Sequence, residues 1–290
     1  MPRKSHSFTQ IDSLRARYEK ALPGKESLIQ ILNEAEISEH VYNSNAIENS
    51  TLSLDETEKI LLQIDLDRFV NEREIFEAKN LAKVVSYVET KSQETELSLD
   101  IILFLHKMLI GNIQDDIAGR FRNAKEWVRV GSHIGADPKE VENLLQKMLT
   151  EYAGSVTDSI ISRIALLHLN FEHVHPFVDG NGRIGRVVNN YQLLREGYVP
   201  INITFVNRTQ YYNAFKAFDE KADTKLMEDI IGRALTNSYH KRLAYLEGKK
   251  VITLNQYAKQ NKLSHSNVIN KAQRQTIDAF YEKGVWKIGI

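Results

Sequence analysis

His175-Pro176-Phe177-Val178-Asp179-Gly180-Asn181-Gly182-Arg183-Ile184-Gly185-Arg186 is the stretch that decides how this chain folds. Just upstream, Ile160 to Phe171 carries apolar residues at helical spacing, which predicts a buried helix. Pro176 stops that helix, because proline lacks an N–H and restricts the residue before it. Gly180 and Gly182 let the backbone turn tightly and approach a ligand without a Cβ in the way. From about Asn181 a second helix is expected through Val187, Val188, Tyr191, Leu193 and Leu194. A glycine turn that opens a helix offers unpaired N–H groups and the positive end of a dipole, which suits a phosphate. Arg183 and Arg186 stand three apart, so both are expected on the same side of the helix. Each can fork onto phosphate oxygens. Asp179 offers a hard oxygen ligand that could hold Mg²⁺ against those phosphates. His175 is placed to take a proton from an incoming hydroxyl.

These residues resemble the Fic family motif, His-Pro-Phe-x-(Asp/Glu)-Gly-Asn-Gly-Arg-x-x-Arg, at every specified position. A match of that length is far more specific than a lone glycine motif. A helix–loop–helix corner with surface arginines accounts for an arginine pair but not for the whole motif. The resemblance implies transfer of AMP from ATP to a protein hydroxyl. It implies His175 as the base, Asp179 as the Mg²⁺ ligand, and Gly180, Asn181 and Gly182 around the α-phosphate. Arg183 and Arg186 would bind the distal phosphates.

Toward the N-terminus, Lys25 to Tyr42 reads as a helix leading into Ser44-Asn45-Ala46-Ile47-Glu48-Asn49. Ser44, Glu48 and Asn49 are similar to the inhibitory-helix pattern of many Fic proteins, (Ser/Thr)-x-x-x-Glu-(Gly/Asn), and place such a helix at about 37–49. Four apart on a helix, Ser44 and Glu48 share a face. The resemblance implies that Glu48 pairs with Arg186 and occupies the fork a γ-phosphate needs. ATP would then bind only unproductively, within a single chain. An exposed helix end with a polar cap is the plainer alternative.

Ser53 to Ile64 reads as a helix with a capping box, Glu56 standing three after Ser53. Helices are also expected over 71–90 and 98–109, the latter capped by Ser98, and His106 there reads as a packed core histidine. Residues 119–134 change character. Trp127 to Val130 alternates between glycines at 119, 131 and 135, which predicts a short hairpin. In Fic proteins a hairpin flap stands here, and Gly119-Arg120-Phe121-Arg122 joins the resemblance. Its strand edge could pair with an extended segment of a protein target; a structural hairpin that merely covers the core is the plainer alternative. Asp137-Pro138 is expected to cap the next helix. His168, His173 and His175 raise zinc, but His168 and His173 are five apart and Pro176 redirects His175, so no zinc site is expected among them. His168 is expected in the core, and His173 buried near the turn. Residues 207–221 read as a helix with an aromatic stripe. The resemblance makes Tyr212 a wall of the adenine and ribose pocket, while Asp219 stands where some relatives bind adenine with asparagine. That departure leaves the choice of base open. A long helix over 224–246 follows.

After Gly248 a basic unit is expected. Two short helices, Thr253 to Gln260 and Ser266 to Arg274, precede a wing turning at Lys283-Gly284, resembling excisionase-like winged helix-turn-helix domains. Eight bases against Asp278 and Glu282 give residues 249–290 a net +6, leaving −6 for residues 1–248. That charge suits DNA phosphates, with Ser266, Asn267, Asn270 and Lys271 toward base edges; such a fold serves protein contacts equally. At 42% hydrophobic and 26% charged, the composition argues against disorder and membrane spanning. Cysteine is absent, so disulfides and thiolate metal sites are excluded. No N-terminal stretch reads as a signal peptide, and a cytoplasmic location is expected.

The expected architecture is mainly α: an N-terminal helical region over 1–97, a Fic-type helical bundle with a hairpin flap over 98–247, and the winged unit over 248–290. The leading expectation is a protein adenylyltransferase using ATP and Mg²⁺. Alternatives are another nucleotide donor, removal of AMP, and a DNA-binding regulator with a nucleotide-sensing body. A homodimer, the target and what relieves inhibition are left open.

Overall fold

A computed structural model describes residues 8–130, 133–156 and 158–290, so Gly131, expected to punctuate the hairpin, lies outside the described residues. In chain order the elements are α1 (Phe8–Ala21), α2 (Glu26–Ile47), α3 (Leu54–Leu61), α4 (Glu72–Lys91) and α5 (Leu99–Ile110). Then come β1 (Arg129–Val130), β2 (His133–Ile134), α6 (Val141–Gly154), α7 (Ile160–Val174) and α8 (Asn181–Arg195). A 3₁₀ turn (Phe205–Asn207) leads into α9 (Arg208–Lys221) and α10 (Lys225–Leu246). The chain closes with β3 (Val251–Thr253), α11 (Leu254–Gln260), α12 (His265–Gln273), β4 (Ala279–Glu282) and β5 (Val285–Gly289). The protein is thus mainly helical with two small sheets, as expected. It divides into two compact units. One comprises Ile37–Tyr198 and Ile203–Ile231; the other comprises Met1–Glu36, Val199–Asn202 and Gly232–Ile290.

The first unit is built around α8, which packs against α4, α5 and α7. Ile184, Val187, Val188 and Tyr191 recur at the spacing of one helical face, and all are buried. The opposite face is buried too, and it is polar: Arg183, Arg186, Asn189 and Asn190. A buried polar face is costly unless its groups find partners, which marks this helix as more than a packing element. Full burial of Phe171, Phe177 and Ile184 contributes roughly 1.5–3 kcal/mol each. The expected caps form: Ser53 and Glu56 make a capping box on α3, and Ser98 caps α5.

Four local readings need correction. The helix read over Lys25 to Tyr42 and the inhibitory helix placed at about 37–49 are one element, α2, which ends at Ile47, with Asn43 to Ile47 buried. Ser44 therefore lies in its last turn, and the turn closes at Glu48 and Asn49, with Asn49 left-handed at φ 72°. Asp137 does not cap α6. It accepts the N–H of Lys139 in a local turn, and the helix starts later, at Val141, with no side-chain cap on Glu140. The hairpin is shorter than Trp127 to Val130 suggested: only Arg129–Val130 pairs with His133–Ile134 as strand, although Gly135 N–H still bonds Val128 C=O. Two elements, the 14-residue α1 and the three-residue β3, had no counterpart in the sequence reading, although α1 buries Ile11, Leu14 and Tyr18 along one face.

In the second unit, β3, β5 and β4 form an antiparallel sheet in that order. Lys283 and Gly284 both take positive φ, 47° and 80°, as a tight hairpin turn requires. Thr253 and Gln256 make a capping box on α11. Leu254, Ala258, Val268, Ala272, Ala279 and Ile288 close a core between the two helices and the sheet. Ser266, Asn267, Asn270 and Lys271 of α12 are exposed. Among the described residues no helix is long and apolar enough to cross a membrane.

Candidate active site

The bend between α7 and α8 gathers most of the residues singled out in the sequence. His175 ends α7 in a left-handed conformation, φ 51° and ψ 63°, and its N–H still bonds Phe171 C=O. A non-glycine residue there is strained, and Pro176 bars any further helical turn. Arg122 holds the strained bend. Its guanidinium donates to the carbonyls of His175 (2.7 Å), Val174 (3.2 Å), Ala136 (2.8 Å) and Glu126 (2.9 Å), and its own N–H donates to Pro176 C=O. Arg122→Ala leaves four carbonyls without that donor, so a loss of about 3 kcal/mol is expected in urea unfolding. Arg122→Lys should not restore it, because a point ammonium cannot serve four directions. The sequence placed Arg122 beside the flap but did not reveal this role.

The imidazole of His175 is mostly enclosed, its side chain 14% exposed. Nδ1 lies 3.3 Å from Glu172 C=O. A carbonyl only accepts, so Nδ1 carries the hydrogen and Nε2 is left with the lone pair. Burial pushes the imidazole down to about 4, the Glu172 carbonyl bond opposing it only in part. It is therefore a neutral base at ordinary pH. The Glu172 carboxyl is 3.7 Å from Nδ1, and burial, reinforced by the charge of Glu48, pushes it up to about 8. A protonated Glu172 gives His175 no ion pair and leaves it uncharged.

The following turn is braced from within. Asn181 accepts the N–H of Phe177 at 2.8 Å and donates to Phe177 C=O at 2.9 Å, so its side chain is committed to the turn. Phe177 stacks on His106 at 3.7 Å. His106 was read as a core histidine, and it is buried, but it also bridges. Nε2–H donates to Asp179 C=O at 3.0 Å and Nδ1 accepts Gly119 N–H at 3.0 Å. Gly180 caps α8 at φ 82°, where other residues are strained. By helix geometry the N–H groups of Asn181, Gly182 and Arg183 have no partner four residues back, so they point outward from the end of the helix.

Asp179 accepts Gly180 N–H (2.6 Å), Arg183 Nη2 (3.1 Å) and Arg73 Nη2 (2.5 Å). Burial opposes its ionisation, but Arg183, the Gly180 N–H and Arg73 outweigh that, so the carboxyl ionises below its usual range. A Mg²⁺ ion commonly takes one or two carboxylates and completes its shell with phosphates and water. An ionised, partly exposed carboxylate at a helix N-terminus fits that donor set. The competing Arg73 contact is half exposed and therefore weak, about 1 kcal/mol or less.

The two arginines do not share a side. Arg183 turns toward α4, pairing with Glu77 at 3.1 Å and with Asp179, and its buried Nε has no partner. Arg186 turns toward the end of α2. Its Nε donates to Ser44 Oγ at 2.9 Å, and Nη2 donates to Ser44 C=O and Glu48 Oε1, both at 2.9 Å. Nη1 donates to Tyr211 Oη at 3.2 Å, and Tyr211 Oη lies 2.6 Å from His168 Nε2. Three residues turn a helix by about 300°, and α8 is enclosed on both flanks, so each guanidinium meets a different neighbour. A Cβ on Gly182 would run into Glu48 Oε1, so the Glu48 carboxylate lies directly against the first turn of α8.

Tyr212 is half-buried and donates to Ile47 C=O at 3.3 Å, at the end of α2. Tyr211, fully buried beside it, was not singled out, yet it touches Arg186 directly. His168 is buried as expected. His173 is not: its side chain is 50% exposed and its Nδ1 meets Asp219 at 2.9 Å. It lies on the last turn of α7, on the face away from the core.

A profile of the Fic/DOC family matches residues 96–193. A curated protein named protein adenylyltransferase Fic, from Drosophila willistoni, is 30% identical over 221 residues, 73% of this chain and 43% of that protein. One of the same name from Drosophila virilis is 32% identical over 190 residues, 63% of this chain and 38% of that protein. The chain thus spans less than half the length of either. Among solved structures, a Fic domain containing signaling protein from Bacteroides thetaiotaomicron superposes with a TM-score of 0.73 at 23% identity, covering 83% of this chain and 97% of that one. A Fic family protein from Desulfovibrio desulfuricans gives 0.65 at 19% identity, covering 97% and 95%. At those identities the likeness is one of fold.

Proposed function

The chain belongs to the Fic/DOC family through the domain at residues 96–193, and from that premise we propose that it is a protein adenylyltransferase. It moves AMP from ATP onto a Ser, Thr or Tyr hydroxyl of a target protein. The observation that carries this reading is the pairing of a neutral, Nδ1-tethered His175 with the open N-terminus of α8 across a five-residue bend. His175 Nε2 takes the hydroxyl proton. The freed oxygen attacks the α-phosphorus, the bond to the β-phosphate oxygen breaks, and pyrophosphate leaves. The N–H groups of Asn181, Gly182 and Arg183, with the helix dipole, receive the phosphate charge that builds during transfer. Asp179 would hold Mg²⁺, which neutralises charge on the triphosphate when bound. Arg186 would clasp the γ-phosphate, but at rest Glu48 holds the guanidinium, which supports restraint of the reaction within the chain.

The target's extended segment would add to the outer edge of β1, beside the exposed Trp127 and Val130. Incubation of the Glu48→Gly chain, freed of that restraint, with ATP labelled at the α- or the γ-phosphate tests the reaction. Label retained on protein from the α position and not from the γ position is expected. Retention of γ label, or no retention of either, overturns it, and parallel arms with GTP, CTP and UTP identify the donor.

A second reading concerns residues 249–290. The exposed face of α12 and the net charge of +6 support duplex DNA as a partner of that region. Lys271→Ala should then weaken duplex binding by the full chain and lower its salt slope by about 1. Binding independent of salt would remove that reading.

A further inference from the structure

His133, His173 and Asp219 come from three separate elements, β2, α7 and α9, and meet at one point. One ligand atom from each lies within 4.8 Å of the other two. His173 Nδ1 is 2.9 Å from Asp219 Oδ1, and His133 Nδ1 is 3.8 Å from Asp219 Oδ2. The two imidazoles face each other at 4.5 Å between centroids.

The tautomer of His133 gives this cluster its meaning. Its Nε2 lies 2.8 Å from the carbonyl oxygen of His173. A carbonyl cannot donate, so Nε2 carries the hydrogen, and Nδ1 of the neutral ring presents a lone pair. That lone pair is directed to a carboxylate, which presents lone pairs of its own. A cation between two facing acceptors satisfies both, and a metal ion does so while also taking His173 Nδ1, 2.9 Å from the same carboxylate. Metal-bound histidines characteristically donate their second ring N–H to a backbone carbonyl or carboxylate, which fixes the ring and the coordinating nitrogen. His133 already has that arrangement.

We propose that His133, His173 and Asp219 form a zinc site, completed by water, that fastens the hairpin to α7 and α9. Two imidazoles and a carboxylate are a common zinc set, and they leave a fourth tetrahedral position open. Bonds of 2.0–2.2 Å place tetrahedral ligand atoms about 3.4 Å apart. The cluster reaches that spacing by small rotations of side chains that are 18%, 50% and 29% exposed, so an ion has access from solvent. The chain has no cysteine to compete for the metal. Bound zinc would restrain β2, the strand paired with the proposed docking edge, and its ligand His173 stands two residues before His175.

Calorimetric titration of the chelator-stripped, dialysed chain with zinc chloride tests this, with Co²⁺ absorption reporting geometry. One equivalent bound, with a tetrahedral Co²⁺ spectrum, is the expected result. His133→Ala and Asp219→Ala should each weaken binding at least about 100-fold. His265→Ala, exposed and outside the cluster, should leave it unchanged. If either alanine variant misfolds by circular dichroism, His133→Gln and Asp219→Asn replace it, with the same loss expected. Absence of one bound equivalent in the unaltered chain, or binding that survives both substitutions, overturns the site. No nucleotide is present, so either result leaves the adenylyl-transfer reading unaffected.

Discussion

Glu48→Gly should raise the transfer of AMP to the chain itself, or to a target, by about tenfold to hundredfold. Glu48 contributes a charge-assisted hydrogen bond to Arg186 at 2.9 Å, and bonds of this kind are worth about 1.5–3 kcal/mol. A γ-phosphate must displace it, and each 1.4 kcal/mol removed is a factor of ten. The lower end of the range is favoured because the Glu48 side chain is one-third exposed, and solvent screens it. The substitution is selective. Without Glu48, Arg186 is still held by Ser44 Oγ, Ser44 C=O and Tyr211 Oη, so the guanidinium stays in position while its competitor is gone. Glycine also removes the carboxylate lying against Gly182, which opens the first turn of α8. Intact-mass measurement after incubation with MgATP reads the gain directly. An unchanged rate in a folded Glu48→Gly chain would sink the restraint, though not the transfer itself.

His175→Ala, made in the Glu48→Gly background so that the starting rate is high, should lower transfer by about 10²–10⁴-fold. The size follows from the loss of the base nitrogen alone. The bend is held by Arg122 and by the Asn181–Phe177 bonds, neither of which uses the imidazole. Nucleotide binding, read with a fluorescent ATP analogue, should therefore persist while the rate disappears. A double variant that keeps the rate of Glu48→Gly alone would show that the proton goes elsewhere and would end the proposed mechanism. Together the two substitutions separate the parts of the reading: one tests the competitor for phosphate, the other the proton acceptor.

Much of the site was legible because it is local. From His175 to Arg186 the backbone must stop a helix, turn and start another, and proline and two glycines at those positions leave few alternatives. Ser44 and Glu48 were legible through their resemblance to the inhibitory-helix pattern, whose spacing of four puts both on one helix face. Local signals failed where the neighbours decide the outcome. Arg183 and Arg186 looked like a matched pair, but one meets α4 and the other the end of α2. Arg122 looked like part of a flap, yet it clamps the catalytic bend through carbonyls that have no side-chain signature. Tyr211 was overshadowed by Tyr212, although only Tyr211 reaches Arg186.

By itself, the sequence determined the helix–turn–helix bend, since that depends on backbone rules acting over a few residues, while the resemblance of its motifs implied His175 as a base and Glu48 as the partner of Arg186. The tertiary structure alone decided that Arg183 meets Glu77 and Asp179, which nitrogen of His175 carries the hydrogen, and that His133, His173 and Asp219 lie together. Those outcomes depend on groups from separate elements brought within hydrogen-bonding range by the packing around α8, and no spacing along the chain encodes such distances.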